Sequence, residues 1–251
     1  STDGSEEIIQ TFINNHGDRE IKYIKNEKNL GLAKNFEKGL QFVSGQYVAV
    51  CDSDDVWFSK KLEKELNFLK KGNFGMIYSD LVVVDENLKT IKKSFLKSGL
   101  SFFSNQKNDT FWELINDNHI TAPTILFKVE LKEKIVPFSK YGLQDYWIAL
   151  LASMCTKIGF FSQPTVYYRQ HSNNMVGASK LSFFKLVFGK DEKFFQKHLQ
   201  MKKNNLMFLY DLQNVEWIEE KYRRSISRKI EKTRLLVENL SQFEEKNSKS
   251  A

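Results

Sequence analysis

Four consecutive residues, Asp52-Ser53-Asp54-Asp55, have the strongest chemical character in this chain. They follow the apolar run 47–51, which has the composition of a buried strand. In α/β sheets, loops at the carboxyl ends of strands bind ligands. Three carboxylates this close repel one another by a few kcal/mol at an effective dielectric near ~20. A divalent cation with oxygen ligands, or a ring of Lys and Arg, would offset the repulsion, whereas an acidic turn capping the next helix needs only one carboxylate.

A further carboxylate, Asp145, lies between Gln144 and two aromatic residues, Tyr146 and Trp147. The apolar run 148–154 that follows predicts a helix. A carboxylate beside aromatic side chains loses solvation, so its pKa rises, which suits a general base. The alternative is that Asp145 caps the predicted helix.

The segments around these residues predict alternating helices and strands. This order is typical of an α/β fold with a mostly parallel sheet flanked by helices. The predicted strands cover residues 21–24, 47–51, 76–84, 121–127, 158–161 and 165–168, and helices are predicted around residues 8–13, 36–43, 62–69, 131–135 and 148–154.

The pattern changes near residue 180, after which amphipathic segments rich in Lys and Arg predict helices. We therefore expect an α/β domain over residues 1–180 and a helical appendage over residues 181–251. Helices of this composition can lie on an anionic membrane face. They can equally pack on the α/β domain or pair two subunits as a homodimer.

Composition narrows the classes of partner. The net charge of +7 and the pI of about 9.1 favour anionic partners. The aromatic residues lie mostly in apolar runs rather than between Lys and Arg, which argues against a nucleic-acid-binding module. Two cysteines, Cys51 and Cys155, are too few for a disulfide framework, so a reducing, cytoplasmic location is expected. No run of about 18 apolar residues predicts a membrane-spanning helix.

Five short motifs occur in an order that resembles family 2 glycosyltransferases. They are Ser1-Thr2-Asp3-Gly4-Ser5, Asn29-Leu30-Gly31 with Asn35, Asp52-Ser53-Asp54-Asp55, Gln144-Asp145 and Tyr168-Arg169-Gln170-His171. The resemblance covers roughly residues 1–180 and is greatest to bacterial enzymes of surface-polysaccharide synthesis, including rhamnosyltransferase-like members. It implies a GT-A (Rossmann-like) fold and an inverting, nucleotide-sugar-dependent activity.

The resemblance also implies roles for the acidic residues. Asp52 and Asp54 match a D-x-D pair, in which Asp54 would coordinate Mg²⁺ or Mn²⁺ and Asp52 would reach the ion or the ribose. His171 matches a histidine that approaches the metal or the diphosphate in some relatives. Asp145 matches the catalytic base, although the preceding residue is Gln144 where family members often have Glu.

The remaining matches are to the donor side of the family's site. The residues that the resemblance assigns to nucleotide-sugar binding, besides Asp52, are Asp3, Asn29, Gly31, Asn35, Ser53, Asp55, Trp57 and Arg169. Structural alternatives stay open for several of them. Gly31 with its Asn neighbours suits an ordinary turn, Asp55 could cap a helix, Trp57 could belong to the core and Arg169 could pair with a carboxylate.

Taken together, the resemblance implies metal-assisted transfer of a sugar from a UDP-, dTDP- or GDP-sugar to a glycan or lipid-linked acceptor. Such an enzyme would be cytoplasmic, or peripheral on the inner face of the cell membrane. Family members usually begin with a strand–helix–strand segment that has no counterpart before Ser1, so a truncated or non-catalytic scaffold is one alternative. A metal-dependent nucleotidyltransferase is another, although no Gly-rich phosphate loop is visible.

Overall fold

The computed structural model of the chain describes residues 3–96, 110–171 and 192–248. The chain forms two compact units, Ser1–Gly31 and Leu32–Ala251. The first unit contains one helix, and the second contains the described sheet together with the remaining described helices.

Helix α1 (Ser5–Asn15) dominates the N-terminal unit. Its N-cap is Gly4, whose φ of 80° favours glycine, while Ser5 is already helical and donates its backbone N–H to Asp3. Residues 21–24, predicted as a strand, are not in a strand. An isolated extended segment needs a hydrogen-bonded neighbour to become one, and among the described residues no strand pairs with it.

Six strands form the sheet of the second unit. They lie in the order β1-β5-β3-β6-β2, and β4 pairs with β3. Their bounds are β1 Tyr47–Ala49, β2 Val56–Trp57, β3 Met76–Val84, β4 Thr90–Lys92, β5 Ile125–Lys128 and β6 Ile158–Arg169.

The sheet is mixed rather than mostly parallel, although the predicted α/β class is confirmed. Only β3 and β6 pair in parallel among the described strands, while the other pairings are antiparallel. The reason is that β5 lies between β1 and β3 and runs against both. Strands β1, β3 and β6 therefore still share one direction.

A single strand, β6, replaces the two strands predicted at residues 158–161 and 165–168. Its register against β3 shifts near Asp80, which lies opposite Pro164. Proline lacks an N–H for the ladder and is tolerated in strands at such irregularities. The interruption in the sequence pattern is therefore a local irregularity, and β6 continues to Arg169.

Seven helices accompany this sheet among the described residues, and the buried α6 is central to them. Nine of its twelve residues are buried, as expected for a helix that is apolar on all sides. The helix bounds are α2 Leu32–Leu40, α3 Lys61–Lys71, α4 Thr110–Leu114, α5 Lys132–Ile135, α6 Gln144–Cys155, α7 Glu192–Gln213 and α8 Glu220–Ser248.

The predicted C-terminal helices are confirmed as α7 and α8, and both contribute to the same core as α6. Phe208 of α7 stacks on Tyr146, with ring centroids 5.0 Å apart and planes 8° apart. Gly142 lies so close to the Phe208 ring that a Cβ at this position would come within 2.2 Å of it. The predicted boundary near residue 180 lies outside the described residues and stays a prediction.

A buried ion pair joins α3 to the sheet. Lys61 Nζ lies 2.6 Å from Glu65 Oε1, and both side chains are at most 1% exposed. Thr165 on β6 donates its hydroxyl to the same Glu65 oxygen, and its oxygen lies 2.6 Å from that of Ser79 on β3. Burial lowers the pKa of Lys61, so the paired carboxylate and hydroxyls are what hold its charge in the core.

None of the described helices is both long enough and apolar enough to span a lipid bilayer.

Candidate functional site

A cavity of about 700 Å³ lies in the second unit, within the size range of small-molecule sites. Its walls come from the acidic loop after β1, the segment 115–123, the start of α6, the end of β6 and both C-terminal helices. The structure thus brings Asp52, Ser53 and Asp54 to the same cavity as Asp145. The polar side chains lining it are Asp52, Ser53, Asp54, Asn116, Asp117, Asn118, His119, Thr121, Gln144, Asp145, Tyr146, Tyr168, Lys202, Asn205 and Lys229.

The acidic loop is held between two strands of the sheet. Val50 donates its N–H to Ile125 of β5 (3.2 Å), and Asp55 donates its N–H back to the carbonyl of Asp52 (3.4 Å). Strand β2 then begins at Val56, opposite Tyr167 of β6. These contacts close a turn that leaves the Asp52 and Asp54 side chains in the cavity lining.

Asp55 is not among the residues that line the cavity, and it contacts β6. Its Oδ1 accepts the backbone N–H of Arg169 at 2.9 Å. Its buried Oδ2 has no hydrogen-bond partner among the described residues. Burial, with smaller contributions from Asp54 and Asp52, raises the pKa of Asp55 to about 7. The helix-cap alternative is wrong, because α3 begins only at Lys61 and has no side-chain cap.

Asp54 and Asp52 form the part of the cavity best suited to a cation. Burial and the charge of Asp54 raise the pKa of Asp52, and His171 Nε2 lies 3.0 Å from Asp54 Oδ2. No cluster of three or more His, Cys, Asp or Glu side chains suited to a metal occurs in the described part of the chain. Mg²⁺ is often held by one or two carboxylates plus substrate phosphates, and this donor set fits that mode.

Asp145 is the most enclosed carboxylate of the cavity, with 8% of its surface exposed. Its Oδ1 accepts the N–H of Tyr146 (2.6 Å) and lies 3.5 Å from the amide nitrogen of Asn118. Its Oδ2 accepts the N–H of Ala122 at 3.2 Å. Burial raises the pKa of Asp145 to about 6, and these hydrogen bonds partly oppose the rise.

The N-cap alternative for Asp145 is wrong. The N-cap of α6 is Leu143, no side chain caps the helix, and Asp145 lies within the first turn. The carboxylate instead joins α6 to the segment before β5, where a 3₁₀ turn over Ala122–Thr124 presents the Ala122 N–H.

Asn118 and Ala122 are site residues that the sequence prediction missed. Asn118 also accepts the N–H of Ile120 at 3.1 Å, so its side chain shapes the turn that precedes Ala122. An Asn two residues before an apolar position is a weak sign of such a turn. Such a turn does not predict the contacts of Asn118 and Ala122 with Asp145, which is more than 20 residues away in the sequence.

Several carboxylates act on the phenol of Tyr168. It lines the cavity, and burial raises the pKa of its phenol to about 12, with further contributions from Asp55, Asp52, Asp54 and Asp145.

Two residues of the predicted donor side do not line the cavity. Trp57 packs with a small core cluster that includes Leu81 and Val166, and Lys61 Nζ lies 5.2 Å from the centre of its ring. Arg169 donates from Nη1 to the carbonyl of Glu86 at 3.1 Å. The environment of Trp57 agrees with the core alternative. The Arg169 contact is with a backbone carbonyl, so pairing of its side chain with a carboxylate stays a prediction.

Among the other predicted donor-side residues of the second unit, Ser53 lines the cavity and Asn35 does not. In the N-terminal unit, Asn29 accepts the N–H of Gly31 at 2.8 Å, and the φ of 73° at Gly31 explains the glycine. Asp3 is exposed, and hydrogen bonds from Ser5 lower its pKa. Asn35 is exposed on α2. Roles for these residues in nucleotide binding stay predictions.

Comparison with known proteins identifies the family. Residues 1–136 match Glycosyl transferase family 2. The chain is 26% identical over 182 residues to TuaG of Bacillus subtilis, a glycosyltransferase provisionally assigned to teichuronic acid biosynthesis, covering 72% of this chain and 68% of TuaG. It is 28% identical over 163 residues to an uncharacterized glycosyltransferase of Methanocaldococcus jannaschii, covering 59% of this chain and 50% of that protein.

The crystal structure of residues 1–349 of S. aureus TarS, in complex with UDP-GlcNAc, has a similar fold. The TM-score is 0.59 at 15% identity, over 93% of this chain and 60% of the TarS chain. The chain therefore spans about half the length of the Methanocaldococcus jannaschii relative and 60% of the TarS fragment. Because the family match covers more than half of its residues, this chain belongs to glycosyl transferase family 2 and has the GT-A fold.

Proposed function

We propose that this chain transfers a sugar, with inversion, from a nucleotide-sugar donor to a hydroxyl group of a glycan or lipid-linked acceptor in surface-polysaccharide synthesis. The observation that carries the proposal is the shared cavity, in which a buried carboxylate with a raised pKa, Asp145, accompanies Asp52 and Asp54. Family membership supports the reaction class. The pathway named for TuaG supports the polysaccharide, and the UDP-GlcNAc in TarS supports the donor class.

In this proposal Asp145 is the general base. The acceptor hydroxyl gives its proton to the Asp145 carboxylate while its oxygen bonds to the anomeric carbon of the donor sugar. The bond from that carbon to the diphosphate oxygen breaks, and the nucleoside diphosphate leaves with the electron pair. A single displacement inverts the anomeric centre. With a pKa of about 6, Asp145 is ionised at neutral pH and still basic enough to accept the proton.

The protein holds this base in a fixed orientation. The backbone N–H groups of Ala122 and Tyr146 point at different carboxylate oxygens, so rotation of the side chain would break at least one hydrogen bond. The enclosure that raises the pKa also excludes water, which would otherwise compete with the acceptor hydroxyl.

Asp54 and Asp52 are the residues that would hold Mg²⁺ or Mn²⁺ in this proposal. A bound divalent cation would supply positive charge where the departing diphosphate becomes more negative. His171 would fix the orientation of Asp54 through the contact at 3.0 Å. Residues that hydrogen-bond to metal ligands commonly orient them in this way.

The proposal is tested by measuring nucleoside diphosphate release from a panel of UDP-, GDP- and dTDP-sugars, with the anomeric configuration of the product determined by NMR. We expect Asp145→Asn to abolish acceptor-dependent release while metal-dependent binding of the nucleotide is kept. Glu133→Gln, which changes an exposed carboxylate of α5, is the matched control and should remain active. Full turnover by Asp145→Asn, or a product with retained configuration, would contradict the mechanism.

A further inference from the structure

Two lysines from the C-terminal helices line the same cavity as the carboxylates. Lys202 belongs to α7 and Lys229 to α8. Among the described residues, neither forms an ion pair with a carboxylate. The cavity thus has cationic groups on helices that follow the family match at residues 1–136 in the sequence.

The segment 116–118 links Lys229 to Asp145. Lys229 Nζ donates to Asn116 Oδ1 at 3.1 Å, and Asn118, two residues further, contacts Asp145. Two residues span at most about 7 Å along the chain. Since a base must touch the acceptor hydroxyl, the side of the cavity that holds Asp145 is the acceptor side.

Lys202 is placed by the packing of α7 against α6. Phe208 of α7 stacks on Tyr146, the residue after Asp145. Lys202 precedes Phe208 by six residues, about 9 Å along a helix. Both lysines are therefore positioned by contacts with the segments that also hold Asp145.

The charge of Lys202 acts on Lys229. Burial lowers the pKa of Lys229, and the charges of Lys202 and Lys232 lower it further, while Asp117 acts in the opposite direction. An anion that binds between two half-buried ammonium groups offsets the repulsion between them. If both lysines only contacted solvent, there would be no reason for two separate helices to place them in the wall of one cavity.

We propose that Lys202 and Lys229 bind a phosphate group carried by the acceptor, beside the hydroxyl that Asp145 deprotonates. The proposal rests on the proposed function, because only a transferase has an acceptor at Asp145. The ammonium group of lysine binds phosphate as a point charge, without the fixed bidentate geometry of an arginine guanidinium. Two ammonium groups can share the oxygens of one phosphate or of adjacent phosphates, which favours a phosphate-bearing acceptor over one with a single carboxylate.

The first test measures binding without catalysis, by titrating inorganic pyrophosphate into the 251-residue chain in EDTA, so that no cation can hold the probe at Asp54. We expect Lys202→Gln and Lys229→Gln each to weaken binding about tenfold. Lys229→Arg keeps the charge and should remain within about threefold of the parent protein. Lys203→Gln is the control, since Lys203 is exposed on α7 and does not line the cavity.

Equal pyrophosphate affinity in the parent protein and both Gln variants would overturn the proposal. Lysine-dependent binding of acetate as tight as that of pyrophosphate would also overturn it, because the site would then select any anion. Circular dichroism spectra of the variants establish that they are folded, so a loss of binding is not a loss of structure.

The second test separates the source of the phosphate and uses transfer as its readout. Decyl diphosphate-linked N-acetylglucosamine and its neutral decyl glycoside serve as paired acceptors. We expect Lys229→Gln to raise KM about tenfold for the diphosphate acceptor only, with kcat and the donor KM unchanged. An equal change for both acceptors would contradict the proposal. If no donor is turned over but pyrophosphate binding depends on the lysines, the anion site stands and the proposed function fails.

Discussion

Replacing Asp145 with Asn should stabilise the protein at neutral pH while removing its proposed base. The change keeps the shape of the side chain and removes its charge. Burial raises the folded-state pKa of Asp145 from 3.8 to about 6, so the folded state binds this proton more tightly than the unfolded state does. The ionised carboxylate therefore destabilises the fold above pH 6, and this cost disappears as the pH falls toward 3.8.

The size of the effect follows from that pKa difference. At about 1.4 kcal/mol for each pKa unit, ionised Asp145 costs about 3 kcal/mol above pH 6. Asn has a single carbonyl oxygen, so the N–H of either Ala122 or Tyr146 loses its acceptor, which costs about 1–2 kcal/mol. The variant should gain about 1–2 kcal/mol at pH 8.

The pH dependence is the sharper measurement, because the hydrogen-bond loss is the same at every pH. Between pH 4.5 and pH 8, the difference in unfolding free energy between Asp145→Asn and the parent should move by about 2 kcal/mol in favour of the variant. Urea denaturation followed by tryptophan fluorescence measures this difference, with Glu133→Gln as the control that should show no comparable shift. A difference that is the same at both pH values would refute the inference that burial raises the pKa of Asp145.

Two other outcomes are expected. Because protonated Asp145 cannot accept a proton, kcat/KM for transfer should fall about tenfold for each pH unit below about 6; a flat profile from pH 5 to 8 would contradict the assignment of the base. Lys61→Met leaves Glu65 charged and unpaired in the core, so thermal or urea denaturation should give a loss of about 3–5 kcal/mol. The double variant Lys61→Met/Glu65→Leu should recover most of that loss, and a single variant as stable as the parent would show that the pair contributes nothing.

The sequence was informative where local composition determines structure. The apolar run at residues 148–154 predicted a helix, and α6 contains it. The family resemblance placed Asp52 and Asp54 in one site with the distant Asp145, and the structure brings them to one cavity. Local patterns suffice for the helix and for the acidic loop, because burial of a whole helix and clustering of charge both leave a compositional signal.

The failures concern partners that are distant in sequence. Residues 21–24 have strand-like composition, but a strand exists only when another strand pairs with it. Asp55 was open to a capping role because its actual partner, the N–H of Arg169, is 114 residues away. Lys202 and Lys229 were visible only as parts of amphipathic helices, a pattern that predicts an apolar face without specifying what lies against it.

The contact of Phe208 with Tyr146 and Gly142 has a consequence for exchanging parts between relatives. A chimera that joins the sheet of this protein to the C-terminal helices of another enzyme would replace the ring that stacks on the neighbour of Asp145. A smaller residue at position 208 would leave a void beside α6, and any side chain at position 142 would collide with the ring. A successful graft of the C-terminal helices must therefore transfer Gly142, Tyr146 and Phe208 together.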